Sequence, residues 1–505
     1  MIGTASNYLG QIVAFAALFF LTPFILHKLG PVEYGLWVLI GSVTAYGSIF
    51  DFGIWGALIK YVAEYRARGE HEKAHRLTAT ALRLYALLGL AVTLLGLGFA
   101  PIFPLFFKYS AREPGYVISL FRLMSLGVGI SLPAMAPMAV LRGLQRYDLV
   151  NLVDITSMIL TTAASVIILI MGKGIIGLIL VNITGMLFVM LFSGLLVRKV
   201  APELHFGWRG ADRKFIRSVL GYSWPLFVKD VSYRLQTKTD EITVGAFLPL
   251  QAIAPYNLAR KLSESIYTLT KQFMKVLLPL ASELHAENDR VRLRSVFVTG
   301  TRLALAISIG IGSILIALRQ PVLLLWVGKG YENAGPLIVI LTIATFVSTS
   351  LWPAGAVLQG MARHRVLALT SFCNGLANLG ISLALIKPLG LMGVALGTLI
   401  PNVLEFFVLM PFAMRVIGVS WGRALQDIFL PSIGPVVPMA LTFYVLLRML
   451  EPANLFVTIF VAACGFCVFM MSYLSLGITQ IERKTAQGIA FSVFQIARTQ
   501  IRRSE

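Results

Sequence analysis

Charge is scarce in this sequence: 13% of its 505 residues are Asp, Glu, Lys or Arg, whereas 57% are hydrophobic. An ordinary globular domain carries about twice that charged fraction, so the chain has too few polar residues to cover a soluble fold. Long apolar runs recur along its whole length. The composition therefore predicts an all-α polytopic membrane protein.

Reactive and nucleotide-binding motifs are also scarce. There are only three cysteines; Cys464 and Cys467 have CxxC spacing, but no His or further Cys lies near them. Neither a disulfide framework nor a metal site is therefore predicted. The phosphate-binding pattern G-x-x-x-x-G-K-[ST] does not occur, so nucleotide hydrolysis by a P-loop is not predicted.

The apolar runs predict about fourteen transmembrane helices, because each run of about 20 residues can cross a bilayer. The approximate spans are 5–27, 34–59, 79–103, 117–141, 150–171, 175–197, 218–248, 255–280, 295–318, 335–359, 366–386, 390–414, 429–449 and 455–477. The first run lacks a basic segment before it and is too long for a signal peptide, so we predict an uncleaved span. An even number of spans places both termini on one side.

The basic residues indicate which side that is. Lys and Arg are concentrated in the loops on the side of the termini, which makes this side cytoplasmic by the positive-inside rule. Topology therefore accounts for most of the net charge of +20, and nucleic acid is not a predicted partner. The tail 478–505 places Ile489, Val493 and Ile496 among arginines, which predicts a cytoplasmic amphipathic helix on the anionic leaflet. An unstructured tail is the alternative.

The chain repeats itself at a nearly constant offset. Leu141-Arg-Gly-Leu-Gln-Arg146 closes the fourth predicted helix and Leu358-Gln-Gly-Met-Ala-Arg363 closes the tenth. Gly174-Ile-Ile-Gly177 and Gly390-Leu-Met-Gly393 follow at the same positions in the two halves. This predicts two six-helix lobes related as parallel repeats, with two helices appended. The predicted divisions are 1–197 for the first lobe, 198–217 for a cytoplasmic linker, 218–414 for the second lobe, 415–477 for the appended helices and 478–505 for the tail.

Two predicted spans, 218–248 and 255–280, carry eleven charged side chains. They are Lys229, Asp230, Arg234, Lys238, Asp240, Glu241, Arg260, Lys261, Glu264, Lys271 and Lys275. Most fall on one face of each helix. A charge at the bilayer centre costs about 2.5–3.5 kcal/mol, so these faces are predicted to contact protein or water rather than lipid. Seven of the charges are basic and four acidic, which favours an anionic passenger.

The cations and the carboxylates receive different candidate roles. The candidate substrate-binding residues are Arg234, Lys238, Arg260, Lys261, Lys271, Lys275 and Arg302. The candidate ion-coupling residues, which would carry H+ or Na+, are Asp230, Asp240, Glu241, Glu264 and Glu405, since a desolvated carboxylate beside a cation can be shifted toward either protonation state. Alternatives are open: residues near span ends can snorkel to the headgroups, and central ones can form structural ion pairs. Glu405 can also bond locally, beside Asn402. No other cofactor and no metal are predicted.

Short motifs add a family resemblance. They are Thr22-Pro-Phe-Ile-Leu26, Leu29-Gly-Pro-Val-Glu-Tyr-Gly-Leu-Trp37, Asp51-Phe-Gly53, Tyr61-Val-Ala-Glu-Tyr65, Tyr222-Ser-Trp-Pro225 and the two Leu-x-Gly-x-x-Arg loops. This set resembles the polysaccharide flippases of the multidrug/oligosaccharidyl-lipid/polysaccharide (MOP) exporter superfamily, through predicted helices 1–12. Asp51 matches the family's Asp-Phe-Gly, where a structural role at a helix end is the alternative to substrate contact.

The resemblance implies a fold and a substrate. The expected fold is a V-shaped pair of lobes around a central cationic cavity in the cytoplasmic (inner) membrane. The expected substrate is an undecaprenyl-pyrophosphate-linked oligosaccharide, with membrane lipids and the polysaccharide polymerase and chain-length machinery as partners.

Other functions stay open. Within the superfamily they are a lipid II flippase or another exporter. From a different class, they are a membrane-embedded polysaccharide polymerase or ligase. The short predicted outer loops, which gather no paired catalytic groups, argue against such an enzyme.

Overall fold

The computed structural model describes residues 2–107, 113–204, 213–274, 276–450 and 454–476, and these residues are almost entirely helical. No strand occurs within them, which confirms the prediction of an all-α protein. Helices suit the apolar sequence because every backbone polar group is satisfied within the segment, as a lipid environment requires.

The first half of the chain supplies eight helices. They are α1 Ile2–Thr44, α2 Ile54–Ala67, α3 His71–Phe99, α4 Phe103–Phe106, α5 Pro114–Gly143, α6 Tyr147–Ile170, α7 Gly174–Val200 and α8 Arg213–Phe247. The rest of the described chain supplies α9 Ile253–Met274, α10 Leu277–Ala286, α11 Arg290–Ala317, α12 Arg319–Val327, α13 Ala334–Gly360, α14 His364–Leu389, α15 Leu391–Ile417, α16 Trp421–Ala424, α17 Leu430–Ile433, α18 Val436–Met449 and α19 Leu455–Leu476.

The chain forms two compact units. Unit 1 comprises Met1–Leu258 and Ser371–Pro401, and unit 2 comprises Ala259–Thr370 and Asn402–Glu505. In unit 1 a core of buried apolar side chains joins α2, α3, α5, α6 and α7. In unit 2 a second core joins α10, α11, α13, α15, α18 and α19. The division into lobes at 198–217 that the sequence suggests differs from these unit boundaries and stays a prediction.

The predicted second span, 34–59, is wrong as a single helix. After a kink at Gly30 (φ 76°), α1 continues to Thr44. A 3-10 segment, Ala45–Asp51, follows it, and α2 begins only at Ile54. Phe52 (φ 47°) and Gly53 (φ 76°) are both left-handed, so the helical hydrogen-bond pattern cannot continue through them. Hydropathy did not predict this break because the residues on both sides of it are mostly apolar.

The predicted count of fourteen spans is not confirmed. Eleven described helical segments are long and apolar enough to cross a membrane. The first two predicted spans, 5–27 and 34–59, both overlap one of these segments, Phe15–Asp51. The charged helices α8 and α9, of 35 and 22 residues, have the length of a span but are not among the eleven. The difference from fourteen thus lies in the first hairpin and in the two charged helices.

The sequence repeat reappears as matched local geometry. Gln145 (φ 58°) and Ala362 (φ 59°) are left-handed non-glycine residues at the same place in their loops. The next amide in each loop reaches back five residues: Arg146 N–H to the Leu141 carbonyl at 3.0 Å, and Arg363 N–H to the Leu358 carbonyl at 2.9 Å. Both loops show the common helix-ending pattern, in which a left-handed residue turns the chain so that the next N–H group can bond to a carbonyl of the last helical turn. The two Leu-x-Gly-x-x-Arg loops are therefore structural copies.

The glycine of each loop marks a close helix approach. A Cβ on Gly143 would lie 2.8 Å from the Val62 side chain, where α5 meets α2. A Cβ on Gly360 would lie 3.0 Å from the Ser282 backbone nitrogen, where α13 meets α10. Small residues of this kind let helix backbones pack closely in membranes. The equivalent contact in each unit supports the parallel repeat.

Candidate functional site

The charged face of α8 lies in unit 1 and carries Asp230, Arg234 and Lys238, one turn apart. Asp230 is exposed, while Arg234 and Lys238 are half-buried. The hydroxyl of Tyr46 donates to the Arg234 carbonyl at 3.3 Å and lies 2.6 Å from Thr239 Oγ1. These bonds hold α8 against the 3-10 segment, so the two cations project from a fixed stretch of helix.

Asp240 leaves this face and points into the interior of unit 1, where it is 1% exposed. Tyr256 on α9 donates to its Oδ2 at 2.6 Å, and Thr398 on α15 donates to the same oxygen at 3.0 Å. Asn378 Nδ2 on α14 in turn donates to Thr398 Oγ1 at 3.2 Å. The buried carboxylate therefore joins α8 to α9 and α15, and Thr398 extends this network to α14. The sequence did not reveal the network because Thr398 and Asn378 carry no charge.

Glu241 is also 1% exposed and has a separate set of partners. Asn257 Nδ2 donates to its Oε1 at 3.3 Å, and Tyr34 donates to Asn257 Oδ1 at 2.8 Å. This chain of bonds joins α8 to α9 and α1. Asp240 thus contacts Tyr256, and the next residue, Glu241, contacts Asn257. These two adjacent contacts fix the register of α8 against the start of α9.

The surroundings of Asp240 could hold a small, hard cation or keep the carboxyl protonated. Oxygen atoms come from its own carboxylate, the hydroxyls of Tyr256 and Thr398, and Asn378. Among the described residues the Asn378 side chain is 1% exposed and its Oδ1 has no hydrogen-bond partner. Carbonyl, hydroxyl and carboxylate oxygens are the ligands that hard cations prefer. No cluster of three His, Cys, Asp or Glu side chains occurs in the described ranges, so such a site would be of mixed oxygen type.

The second charged face lies on α9 in unit 2. The Arg260 side chain is 12% exposed and its Nε lies 4.0 Å from Oε2 of Glu264, which is 47% exposed. Lys261 is half-buried and Lys271 is exposed. At 4.9 Å, the Lys271 ammonium lies over the ring of Trp352 on α13. Sequence reasoning missed Trp352, since an aromatic residue in an apolar run carries no distinctive signal.

Arg302 and Glu405 take up other positions in unit 2. Arg302, 4% exposed, directs Nη1 toward the Asp427 carbonyl at 3.4 Å, and its own carbonyl accepts from Ser432 at 3.1 Å. These bonds hold α11 to the π-helical segment Leu425–Phe429, which contains Asp427, and to α17, which contains Ser432. They favour a structural role for Arg302; its assignment to substrate binding stays a prediction. Glu405 is half-buried, while Asn402, one turn earlier, donates to Ser348 Oγ on α13 at 2.9 Å.

Two predicted residues lie wholly or partly outside the described structure. Lys275 lies outside the described residues, and the Lys229 side chain does as well. The tail 478–505 also lies outside the described part of the chain. Their predicted roles stay predictions.

Asp51 has a structural place at the start of α2. It is 5% exposed, and its carboxylate accepts from the backbone N–H groups of Gly53 and Trp55, both at 3.1 Å. The Tyr85 hydroxyl donates to the same carboxylate. The first N–H groups of a helix have no hydrogen-bond partner within the helix, and the Asp51 carboxylate supplies this partner for α2. Its bond with Tyr85 also connects the start of α2 to α3.

Removing this carboxylate should destabilise the protein. For Asp51→Ala we expect a loss of about 1–3 kcal/mol, because three donors lose their acceptor in a buried place. Tyr85→Phe removes one of the three bonds and should have a smaller effect. Thermal unfolding in detergent, followed by loss of the monodisperse peak, measures both. An Asp51→Ala protein of normal thermal stability that no longer transports would instead indicate substrate contact.

Comparison with known proteins finds a matching family model and a distant relative. The family model described as "Polysaccharide biosynthesis protein" matches residues 28–336. A relative, the uncharacterized membrane protein EpsK of Bacillus subtilis (strain 168), is 22% identical over 431 residues, covering 82% of this chain and 83% of the relative.

Solved structures share the fold. An inward-facing multidrug resistance MATE family transporter of the MOP superfamily superimposes with a TM-score of 0.71 at 16% identity, over 79% of this chain and 94% of that chain. The lipid II flippase MurJ, in an inward closed conformation, superimposes with a TM-score of 0.69 at 14% identity, over 93% of this chain and 97% of that chain. A MOP superfamily transporter from Pyrococcus furiosus, described as having a binding pocket of reversed polarity, superimposes with a TM-score of 0.58 at 15% identity, over 83% of this chain and 93% of that chain. These likenesses show that the chain shares the fold of these proteins.

Proposed function

Since this chain belongs to the polysaccharide biosynthesis protein family, we propose that it is a flippase that carries an undecaprenyl-pyrophosphate-linked oligosaccharide from the cytoplasmic to the outer leaflet. The family match to a polysaccharide biosynthesis protein and the fold shared with transporters of the MOP superfamily both support this proposal. The observation that carries the proposal is a pair of cations, Arg234 and Lys238. Both are half-buried on one face of a helix that is long enough to cross a membrane.

The chemistry of the substrate explains why such cations are needed. A pyrophosphate cannot enter hydrocarbon without replacing the hydration of its charges. Arg234 can grip two phosphate oxygens at once, and Lys238 adds a point charge. On α9, Arg260, Lys261 and Lys271 supply further cations, while the prenyl chain stays in lipid.

The direction of transfer requires an energy source. We propose that an ion binds the buried carboxylate of Asp240, either as H+ or as Na+ with oxygens from Tyr256, Thr398 and Asn378. Asp230, Glu241, Glu264 and Glu405 remain secondary candidates. We propose that both termini lie in the cytoplasm, which the basic loops support, and that the protein lies in the inner membrane, where a polymerase and its chain-length machinery would consume the product.

Transfer can be measured in proteoliposomes that contain a fluorescent undecaprenyl-pyrophosphate-linked oligosaccharide. We expect the intact protein to make the glycan on the inner leaflet accessible to an external glycosidase, while liposomes without protein leave it protected. Lipid II in parallel liposomes tests the second candidate, which the MurJ-like fold favours. Glycan that stays protected but becomes longer would overturn the proposal in favour of a polymerase.

A further inference from the structure

Four residues share one face of α9 within unit 2. Arg260, Glu264, Tyr267 and Lys271 follow one another at three- or four-residue intervals, and this spacing stacks side chains along a helix. The face therefore presents, in order, a cation with an acid, an aromatic ring and a second cation. At a rise of about 1.5 Å per residue, Arg260 and Tyr267 lie about 10 Å apart along the helix axis.

The ring of Tyr267 is joined to a second ring from α13. Trp352 donates its indole N–H to the Tyr267 hydroxyl at 2.6 Å. The ring centroids lie 5.8 Å apart with planes inclined by 73°, an edge-to-face arrangement that aromatic pairs favour. Both side chains are only half-buried. The hydrogen bond fixes the plane of the indole, so little conformational entropy remains to be lost on binding.

Lys271 completes the group. Its ammonium lies 4.9 Å from the Trp352 ring centroid and 6.0 Å from that of Tyr267, and it is exposed. A flexible cation over an indole can move aside when another group stacks there, and it stays within reach of oxygen atoms on that group. Glu264, three residues before Tyr267 on the same face, adds an acceptor for hydroxyl groups.

We propose that Trp352, Tyr267 and Lys271 form a saccharide subsite, in which a pyranose ring stacks on the indole. The inference rests on the proposed function and names where the sugar binds. A pyranose has an apolar face of C–H groups and a rim of hydroxyls, which matches a flat indole ring with an ammonium beside it. The sugar attached to the pyrophosphate occupies this subsite while Arg260, farther along the same face, contacts phosphate oxygens.

Two soluble probes separate the sugar from the rest of the ligand: farnesyl pyrophosphate and farnesyl-pyrophosphoryl N-acetylglucosamine. Their dissociation constants for the purified full chain can be measured by isothermal titration calorimetry in detergent. We expect the sugar-bearing probe to bind about tenfold more tightly, the size of one good aromatic contact. Trp352→Leu should remove that difference and leave the affinity for farnesyl pyrophosphate unchanged.

Control variants separate stacking from packing. Trp421→Leu, at an exposed tryptophan of unit 2 outside the subsite, should leave both affinities unchanged. Trp352→Phe retains a flat ring, should keep part of the sugar preference, and serves as the test if the leucine variant does not fold. Equal binding of the two probes by the intact protein, or equal loss of both in Trp352→Leu, would overturn the subsite. If the intact protein binds neither probe, the proposed function itself fails, and the subsite fails with it.

Discussion

Glycolipid transfer in proteoliposomes should fall by about a hundredfold in the double variant Arg234→Ala plus Lys238→Ala. A hydrogen bond to a charged group is worth about 1.5 kcal/mol or more, so the loss of two such contacts costs about 3 kcal/mol, which is a factor of about one hundred. The initial rate at which the glycan becomes accessible to an external glycosidase measures the effect.

The structure favours a direct effect of this change rather than unfolding. Tyr46 holds α8 through the Arg234 carbonyl and the Thr239 hydroxyl, and neither of these contacts depends on the Arg234 or Lys238 side chain. The double variant should therefore elute and melt like the intact protein.

A matched control loses the same charges elsewhere. Arg198→Ala plus Lys199→Ala removes one exposed Arg and one exposed Lys from the last turn of α7. Because these residues lie outside the charged faces of α8 and α9, we expect transfer to continue at nearly the intact rate. If both double variants slow transfer equally, the effect follows from total charge, and the α8 face has no special role.

The fold class was predictable because its determinants are local. Apolar runs, loop charges and the repeated Leu-x-Gly-x-x-Arg loops led to an all-α membrane protein with internal repeats, and Gln145 and Ala362 show the repeat in their backbone geometry. The Gly30 kink and the break at Phe52 were harder to predict. A turn in an apolar segment is set by a few backbone angles, which hydropathy does not report.

The candidate site was predictable only as far as charge reveals it. Asp230, Arg234 and Lys238 stand out because charge is costly in a membrane. The helical period also places Glu241 on their face, yet its buried contact with Asn257 turns it inward. Asp240 was recognised as a charge, but its partner Thr398 was not, since the two are 158 residues apart in the sequence. Contacts between uncharged residues distant in the sequence depend on helix packing, which one sequence does not specify.

Asp240→Asn should abolish the dependence of transfer on an ion gradient and slow uphill transfer at least about tenfold. The amide has nearly the shape of the carboxylate but no charge, so it cannot titrate and binds a cation weakly. It can still accept from Tyr256 or Thr398 through its one remaining oxygen. The variant therefore tests the charge more than the packing of the four helices.

Two measurements identify the ion. Transfer is compared under an imposed Na+ gradient and under an imposed pH gradient, for the intact protein and the variant. Independently, the melting temperature is followed against Na+ concentration, since an ion that binds the folded state raises stability by RT ln(1 + [ion]/Kd). A rise in the intact protein that is absent in Asp240→Asn indicates Na+, whereas a response to the pH gradient alone indicates H+.

Asp148→Asn supplies the matched control for this change. Asp148 forms an exposed ion pair with Arg146, with Nη2 and Oδ2 2.8 Å apart, and such pairs contribute little to stability. The same substitution there should alter neither the gradient dependence nor the Na+ response. If Asp240→Asn transports like the intact protein under both gradients, the buried carboxylate only joins α8 to α9 and α15. The driving force must then enter elsewhere, through Asp230, Glu264 or Glu405, or through the membrane potential acting directly on the anionic headgroup.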